Sequence, residues 1–500
     1  MAKRSSPRVL QVSAELHPLL KTGGLADVTG ALPHALAAQG CDARVLLPGF
    51  PAVMSGLSSI ELLGQFTAPW GEPMRLLTAH IPHPTNKPLH AYVLDAPSLF
   101  DRPGNPYEDS HQQPYADNHR RFAALAWAAV DIAQGRDVQW QPDLVHAHDW
   151  HAGLVPVCLA HAAQLAGKAP LPTVFTVHNL AYQGLFPASH FFELGLPPEH
   201  FQPEGVEYWG QLSFMKAGLH YATRITTVSP TYAEEIQTPE FGCGLDGLLR
   251  RRHGDLTGIL NGVDTHDWNP GTDPNLVENY SATNLRGKAA CKAALQAEHS
   301  LAAMPQTPLF TVVSRLTEQK GLPLVLGSVD MLVEQGAQLL ILGTGDAALQ
   351  RAFRAKAEQH AGKVAVHIGF DEALSHRVFS GSDVALVPSR FEPCGLTQMY
   401  ALLYGSLPLV RRVGGLADTV VAATPESLAA KTATGFVFDD MSAEAFETAV
   451  HQALSMWRTP ATWRTMVQHG MSQNFSWDTA ASRFLHLYLE LLQPGPTACA

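Results

Sequence analysis

Short apolar runs, each closed by a small or polar cluster, alternate along the chain with longer segments whose apolar residues fall at helical spacing. That alternation predicts βαβ units around a parallel sheet, whose strands are covered on both faces and so read as near-continuous apolar stretches. Two series of such runs are present. The first holds Arg8 to Ser13, Ala43 to Leu47, Asp143 to His148, Thr173 to His178, Arg224 to Ser229 and Leu256 to Leu260. The second holds Leu309 to Ser314, Gln338 to Leu342, Val364 to Ile368, Val384 to Pro388 and Leu407 to Val410. Between them, Asn261-Gly262 and Asn269-Pro270-Gly271 are turn signals, and they place a domain junction near Val263. The pattern therefore predicts an α/β protein of two doubly wound domains, residues 1–262 and 263–477, followed by a helix and a frayed tail over 478–500. Pro- and Gly-rich stretches from Pro48 to Tyr115 and from Leu196 to Gly210 are too long for simple connections, and are expected to be lids or binding loops.

Composition narrows the class. The 500 residues suit about three domains of average size or, equally well, two α/β units of roughly 200 to 250 residues each. Lys plus Arg total 34 against 45 for Asp plus Glu, a formal charge of -11, which argues against tracking a nucleic-acid backbone and limits any bound nucleotide to a small one. With 46% hydrophobic and 16% charged residues, the chain is neither a disordered acidic tail nor a coiled coil. No apolar run approaches the ~18 residues of a membrane span; even Ala123 to Ala133 is interrupted by Asp131. Lys3 and Arg4 precede an apolar stretch that is short and ends at Glu15, so Met1 to Leu16 reads as the first core strand and not as a signal segment. Cysteines 41, 158, 243, 291, 394 and 499 are scattered without CxxC pairs, the usage of reduced thiols in a cytoplasm.

The chemistry-bearing motifs fall at strand ends. Gly23-Gly24-Leu25-Ala26-Asp27 recurs as Gly414-Gly415-Leu416-Ala417-Asp418, each copy following a strand and opening a helix. Chance explains such an echo as readily as shared chemistry does; as chemistry, it gives two anion-ready turns, one on each side of a cleft. Lys21-Thr22-Gly23-Gly24 sets an ammonium beside the first turn, with phosphate or diphosphate as its natural guest, although neither the P-loop nor the GxGxxG spacing is present. Arg315 and Lys320 lie just past the first strand of the second domain, where open α/β sheets collect ligands. Together they supply a planar fork and a point charge for a departing diphosphate, unless they are merely solvated. Glu392, in Pro388-Ser389-Arg390-Phe391-Glu392-Pro393-Cys394-Gly395, again follows a strand; its carboxylate would face a sugar while N–H groups from about Gly395 to Thr397 hold a phosphate, the alternative being a capping or ion-paired Glu. Cys394, with no Cys/His signature, reads as a packed thiol. His146, His148, Asp149 and His151 lack the remote partners of a metal site. Asp149 and His178, each ending a strand, read better as hydrogen-bonding groups that orient a hydroxylated ligand.

Jointly these segments resemble bacterial glycogen synthases and the related plant starch synthases, retaining glycosyltransferases of the GT-B fold. The resemblance is carried by Lys21 to Val28, His146 to His151, Thr176 to Gly184, Val228 to Tyr232, Asn261 to Asp264, Arg315 to Gly321, Pro388 to Gly395 and Arg411 to Val420, in order along essentially the whole chain. It implies two Rossmann-like domains facing across a deep cleft, with the last helix returning to the first domain. It further implies cytoplasmic transfer of glucose from ADP-glucose to the non-reducing 4-OH of an α-1,4-glucan such as glycogen, with retention and without an essential metal or cofactor. Neither a nucleic acid nor a membrane is expected as a partner. By the same resemblance Lys21 contacts the nucleotide-sugar, with Gly23 and Gly24 near its phosphates. Arg315 and Lys320 bind the diphosphate, Glu392 stands near the donor sugar, and Leu396 and Thr397 start the helix that receives phosphate. His178 and Asp149 hold the glucose, Asn261 lines the same site, and Tyr107 stands near the nucleotide. Tyr400 occupies the position eight after Glu392 where other retaining GT-B enzymes carry a second Glu, a departure that bacterial glycogen synthases share. Another GT-B activity, such as a UDP-glucose transferase or a phosphorylase, and a non-catalytic glucan-binding protein are the rival readings. Because anomeric cleavage makes a cationic ring and an anionic ADP, cations preorganised at the diphosphate are the largest lever. Same-face attack assisted by the leaving phosphate is the expected course, with cleft closure excluding water.

Overall fold

The computed structural model describes residues 6–83, 86–369 and 371–493; Lys3, Arg4, Cys499 and the tail beyond Gln493 lie outside the described residues. The chain divides into two compact units, Met1–Gly262 with Trp477–Ala500, and Val263–Ser476.

Among the described residues, twelve strands belong to the first unit: β1 (Arg8–Val12), β2 (Asp42–Pro48), β3 (Ser58–Thr67), β4 (Pro73–Ile81), β5 (Leu89–Asp95), β6 (Leu144–His148), β7 (Thr173–Val177), β8 (Leu185–Pro187), β9 (Glu207–Tyr208), β10 (Gln211–Ser213), β11 (Arg224–Thr227) and β12 (Leu256–Gly258). Nine of them form one sheet in the order β12-β11-β7-β6-β1-β2-β5-β4-β3. Pairing is parallel from β12 through β5. β4 and β3 are then added antiparallel at one edge. The central strands are buried on both faces, β6 and β7 at every residue, although β6 turns His146 and His148 to one of them.

The Pro48 to Tyr115 stretch corrects the expectation of a lid or loop, since it contains β3, β4 and β5. Its prolines and glycines sit at element ends: Pro73 opens β4, Pro97 opens a short helix and Gly71 lies in the turn before β4, positions that a sheet tolerates. β4 alternates buried and open positions and β3 is mostly exposed, as suits an antiparallel edge. The end of the Leu196 to Gly210 stretch likewise enters a hairpin, β9 and β10, which with β8 forms a three-stranded antiparallel sheet.

Helix Trp477–Leu491 packs on the first unit. Its buried positions, Trp477, Ala480, Ala481, Phe484, Leu487 and Tyr488, recur at three- and four-residue intervals. They meet Val28, Leu32 and Leu36 of helix Gly24–Ala38, with Val9 and Leu144 beneath. Burying Phe484 or Leu487 contributes about 1.5 to 3 kcal/mol each.

The second unit holds β13 (Leu309–Val313), β14 (Gln338–Gly343), β15 (Val364–Ile368), β16 (Val384–Val387), β17 (Leu407–Arg411) and β18 (Phe436–Phe438), all parallel, in the order β15-β14-β13-β16-β17-β18. That is the doubly wound order, with strand progression reversing between β13 and β16. The first unit repeats the scheme, reversing between β1 and β6. Such reversal points open a crevice at the carboxyl ends of the two strands, and that is where ligands bind.

Candidate active site

In the first unit, the segment leaving β1 carries Ser13 to Gly23 and then enters helix Gly24–Ala38, so Lys21, Gly23 and Gly24 come to the reversal point. All three are exposed, and space is open around Gly23. The Lys21 ammonium reaches Asp27 Oδ1 at 2.7 Å, one turn into the helix. A buried carboxylate behind the turn, Glu15, holds it in shape: Glu15 Oε2 accepts from the Thr22 N–H at 2.6 Å, and Glu15 Oε1 accepts from both the Thr22 and Tyr107 hydroxyls. Tyr107 is therefore placed through Glu15, and its ring stacks on His151 with centroids 4.6 Å apart. Burial, reinforced by Glu15, holds the Tyr107 phenol protonated.

Across the reversal point, β6 ends at His148 and delivers Asp149. Its backbone adopts φ 60° and ψ -179°, a region favouring glycine, and its carboxylate accepts from the Trp150 N–H at 2.9 Å. Strain of this kind persists at functional positions because the surroundings over-determine it. Burial raises the Asp149 acid to about 8, with the nearby Glu15 charge pushing the same way. His146 and His148 share one face of β6, as strand alternation requires, with ring centroids 4.0 Å apart. His146 is held by the Tyr488 hydroxyl at 2.7 Å and Thr176 Oγ1 at 2.6 Å, while His148 Nδ1 meets His178 Nε2 at 3.1 Å. Burial lowers His178 to about 3, so its ring is a neutral hydrogen-bonding group. Asn261, buried just past β12, completes the residues expected in this unit.

In the second unit, Arg315 and Lys320 follow β13 and Glu392 follows β16, the two strands that flank the reversal point. Lys320 Nζ donates to Glu392 Oε2 at 2.6 Å, and the Ser389 hydroxyl donates to the same oxygen at 2.8 Å. Glu392 is buried and Lys320 half-buried, so the pair is screened less than a surface pair. Arg315 is exposed at the same end of the sheet. Leu396 and Thr397 stand at the start of helix Thr397–Leu403. Gln398, in its first turn, ties the loop with its side-chain amide, donating to the Cys394 carbonyl at 3.1 Å and the Gly395 carbonyl at 2.7 Å. Cys394 is buried.

The second Gly-Gly turn departs from the expected anion seat. The Gly415 N–H is already spent on the Glu392 carbonyl at 3.1 Å, and a Cβ on Gly414 or Gly415 would collide with the carbonyl oxygens of Glu392 and Cys394. These glycines let β17's exit pack against the loop that carries Glu392, whereas Gly23 faces open space. We expect Gly415→Ala to cost about 1 to 3 kcal/mol through overpacking, a fall of about 2 to 10 °C in the melting temperature. The displaced Glu392 loop should lower transfer activity at least in proportion. A variant with wild-type melting and activity would show that the contact is dispensable.

Glu15, Ser389 and Gln398 escaped the sequence reading. Glu15 had one signal: a carboxylate directly after the first core strand, at the position a doubly wound sheet uses for ligands.

A family model described as starch synthase catalytic domain matches residues 8–251, and one described as glycosyl transferases group 1 matches residues 297–468. The glycogen synthase of Variovorax paradoxus (strain S110) is 57% identical over 495 residues, covering 98% of this chain and 100% of that protein. The chain belongs to the glycogen synthase family. Another glycogen synthase, from Francisella philomiragia, is 53% identical over 487 residues, covering 97% of this chain and all of its own length. Among solved structures, the catalytic domain of Starch Synthase IV from Arabidopsis thaliana, bound to ADP and acarbose, superposes with a TM-score of 0.88 at 30% identity, covering 98% of this chain and 100% of that one. As a glycogen synthase family member the protein is a glucosyltransferase with the two Rossmann-like α/β domains of the GT-B fold.

Proposed function

We propose that this glycogen synthase family member transfers glucose from ADP-glucose to the non-reducing 4-OH of an α-1,4-glucan, retaining the anomeric configuration. The product is glycogen one glucose longer. The observation that carries the reading is the Lys320–Glu392 pair at the second unit's reversal point, its carboxylate buried and its ammonium half-buried, with Arg315 exposed at the same end. Cleavage of the anomeric C–O bond leaves its electron pair on ADP and positive charge on the ring. Arg315 and Lys320 neutralise the former; the Glu392 carboxylate stabilises the latter. The acceptor 4-OH attacks the same face, and its proton passes to the leaving phosphate oxygen. Lys21, at the first unit's reversal point, is assigned to the donor as well. Neutral His178, protonated Asp149 and Asn261 are assigned to glucose hydroxyls, which need hydrogen bonds and no net charge. Lysine and arginine supply the cations, so no metal is required in this scheme.

No helix among the described residues is long and apolar enough to cross a membrane. The cytoplasm is the compartment proposed, on the scattered placing of the cysteines along the sequence.

The test is glucosyl transfer to glycogen from ADP-glucose and UDP-glucose side by side, with and without a chelator. Strong transfer from ADP-glucose, insensitive to chelation, is expected. Equal use of UDP-glucose would remove the donor assignment, chelator sensitivity the metal-free one, and no transfer from either donor would leave a glucan-binding protein.

A further inference from the structure

The β9–β10 hairpin closes with the two-residue loop Trp209-Gly210 between the paired residues Tyr208 and Gln211. Both loop residues have positive φ, 49° for Trp209 and 80° for Gly210, which is the type I′ turn. Its first position favours Asn, Asp or Gly; an indole there is disfavoured by the backbone. Burial does not repay the cost, for Trp209 is 82% exposed while the other eight tryptophans are buried or half-buried. Neither turn geometry nor core packing therefore accounts for tryptophan at this position.

The hairpin is a rigid mount. Leu212 and Ser213 are fully buried, Lys216 Nζ donates to the Pro203 carbonyl at 2.7 Å and to the Glu207 carbonyl, and Glu207 Oε1 accepts from the Gly210 N–H at 2.5 Å. It also adjoins the loop that leaves His178. The Tyr208 hydroxyl and the Gln183 side-chain amide donate to one carbonyl, that of Cys243, at 2.7 and 2.9 Å, and β8, which continues that loop, pairs with β10. Tyr182, in the same loop, is 51% exposed.

We infer that Trp209 is a stacking platform for a glucose unit of the acceptor α-1,4-glucan, an inference that rests on the glucan-acceptor reading above. A pyranose ring offers a flat C–H face to an indole and hydroxyls to polar neighbours such as Gln211. The Glu207 carboxylate, which sits at the turn on the Gly210 N–H, disfavours phosphate-bearing ligands there and leaves a neutral sugar chain as the occupant. Rigid mounting lowers the entropic cost of the contact, and a polymer that is held beyond its reacting end dissociates less often between additions.

Trp209→Asn installs a residue the turn prefers, so its melting temperature should equal or exceed that of the wild type. Its KM for glycogen should rise about 3- to 10-fold, the range of one aromatic contact, while KM for ADP-glucose stays put. Trp209→Phe should recover most of the difference. Retardation of the wild type in a glycogen-containing native gel should weaken in Trp209→Asn. Unchanged glycogen KM and gel retardation in Trp209→Asn overturn the assignment, as does a fall in melting temperature that Trp209→Phe repairs without any change in glycogen binding. If the wild type binds glycogen through Trp209 yet transfers no glucose, the platform stands and the proposed activity falls.

Discussion

Replacing Glu392 with Ala, or Lys320 with Ala, is expected to lower kcat by about 100-fold or more, because in the proposed mechanism each removes a preorganised charge set where the reaction develops charge, worth about 3 kcal/mol. The two losses should not multiply. Lys320 Nζ and Glu392 Oε2 are 2.6 Å apart, and removing either leaves the other charge poorly solvated and free to find a different geometry. The double variant is thus expected near the activity of the worse single variant, and its melting temperature should exceed that of at least one single variant. Steady-state rates with saturating ADP-glucose and glycogen, alongside thermal melts, decide this. Losses under tenfold would remove the pair from the chemistry; fully multiplicative losses would mean that the two act independently.

The second large effect concerns Asp149. Burial raises its acid from an ordinary 3.8 to about 8 in the folded state. Between those values the folded protein keeps a proton that the unfolded chain gives up, so stability falls as pH rises from about 4 through about 8. Asp149→Asn is neutral throughout and should lose that slope. Its melting temperature is expected to exceed the wild type's at pH 8.5 and to approach it at pH 5. Because the acid is largely protonated at pH 7, the amide should keep transfer within about tenfold of wild type there, whereas Asp149→Ala, which also loses the contact with the Trp150 N–H, should fall about 100-fold. Parallel pH–stability curves for wild type and Asp149→Asn would show that Asp149 is ionised at neutral pH.

Much of this architecture is legible in the sequence because parallel strands buried on both faces write themselves as apolar runs, and because the candidate site residues lie in the loops that leave those runs. Asp149, Arg315 and Glu392 stand within a few residues of such a run, and Lys21 and Lys320 lie farther along the loops that leave one. What the chain order hides are relations between distant segments. Glu15 meets Tyr107 across 92 positions, and nothing in either neighbourhood announces the other. The Gly414-Gly415 pair looks like a ligand seat by analogy with Gly23-Gly24, yet serves the packing of the Glu392 loop. β3 and β4 were obscured by prolines and glycines at their ends and by an exposed edge with no apolar run.

The return of helix Trp477–Leu491 to the first unit fixes an order of events during synthesis. Residues 263–476 must leave the ribosome between Gly262 and the helix that covers Val28, Leu32 and Leu36. At about 5 to 20 residues per second, that is a delay of roughly 10 to 40 seconds. Through that interval the nascent first unit carries an uncovered apolar face, so the continuous second unit, though later in the chain, is the first that can complete its own core.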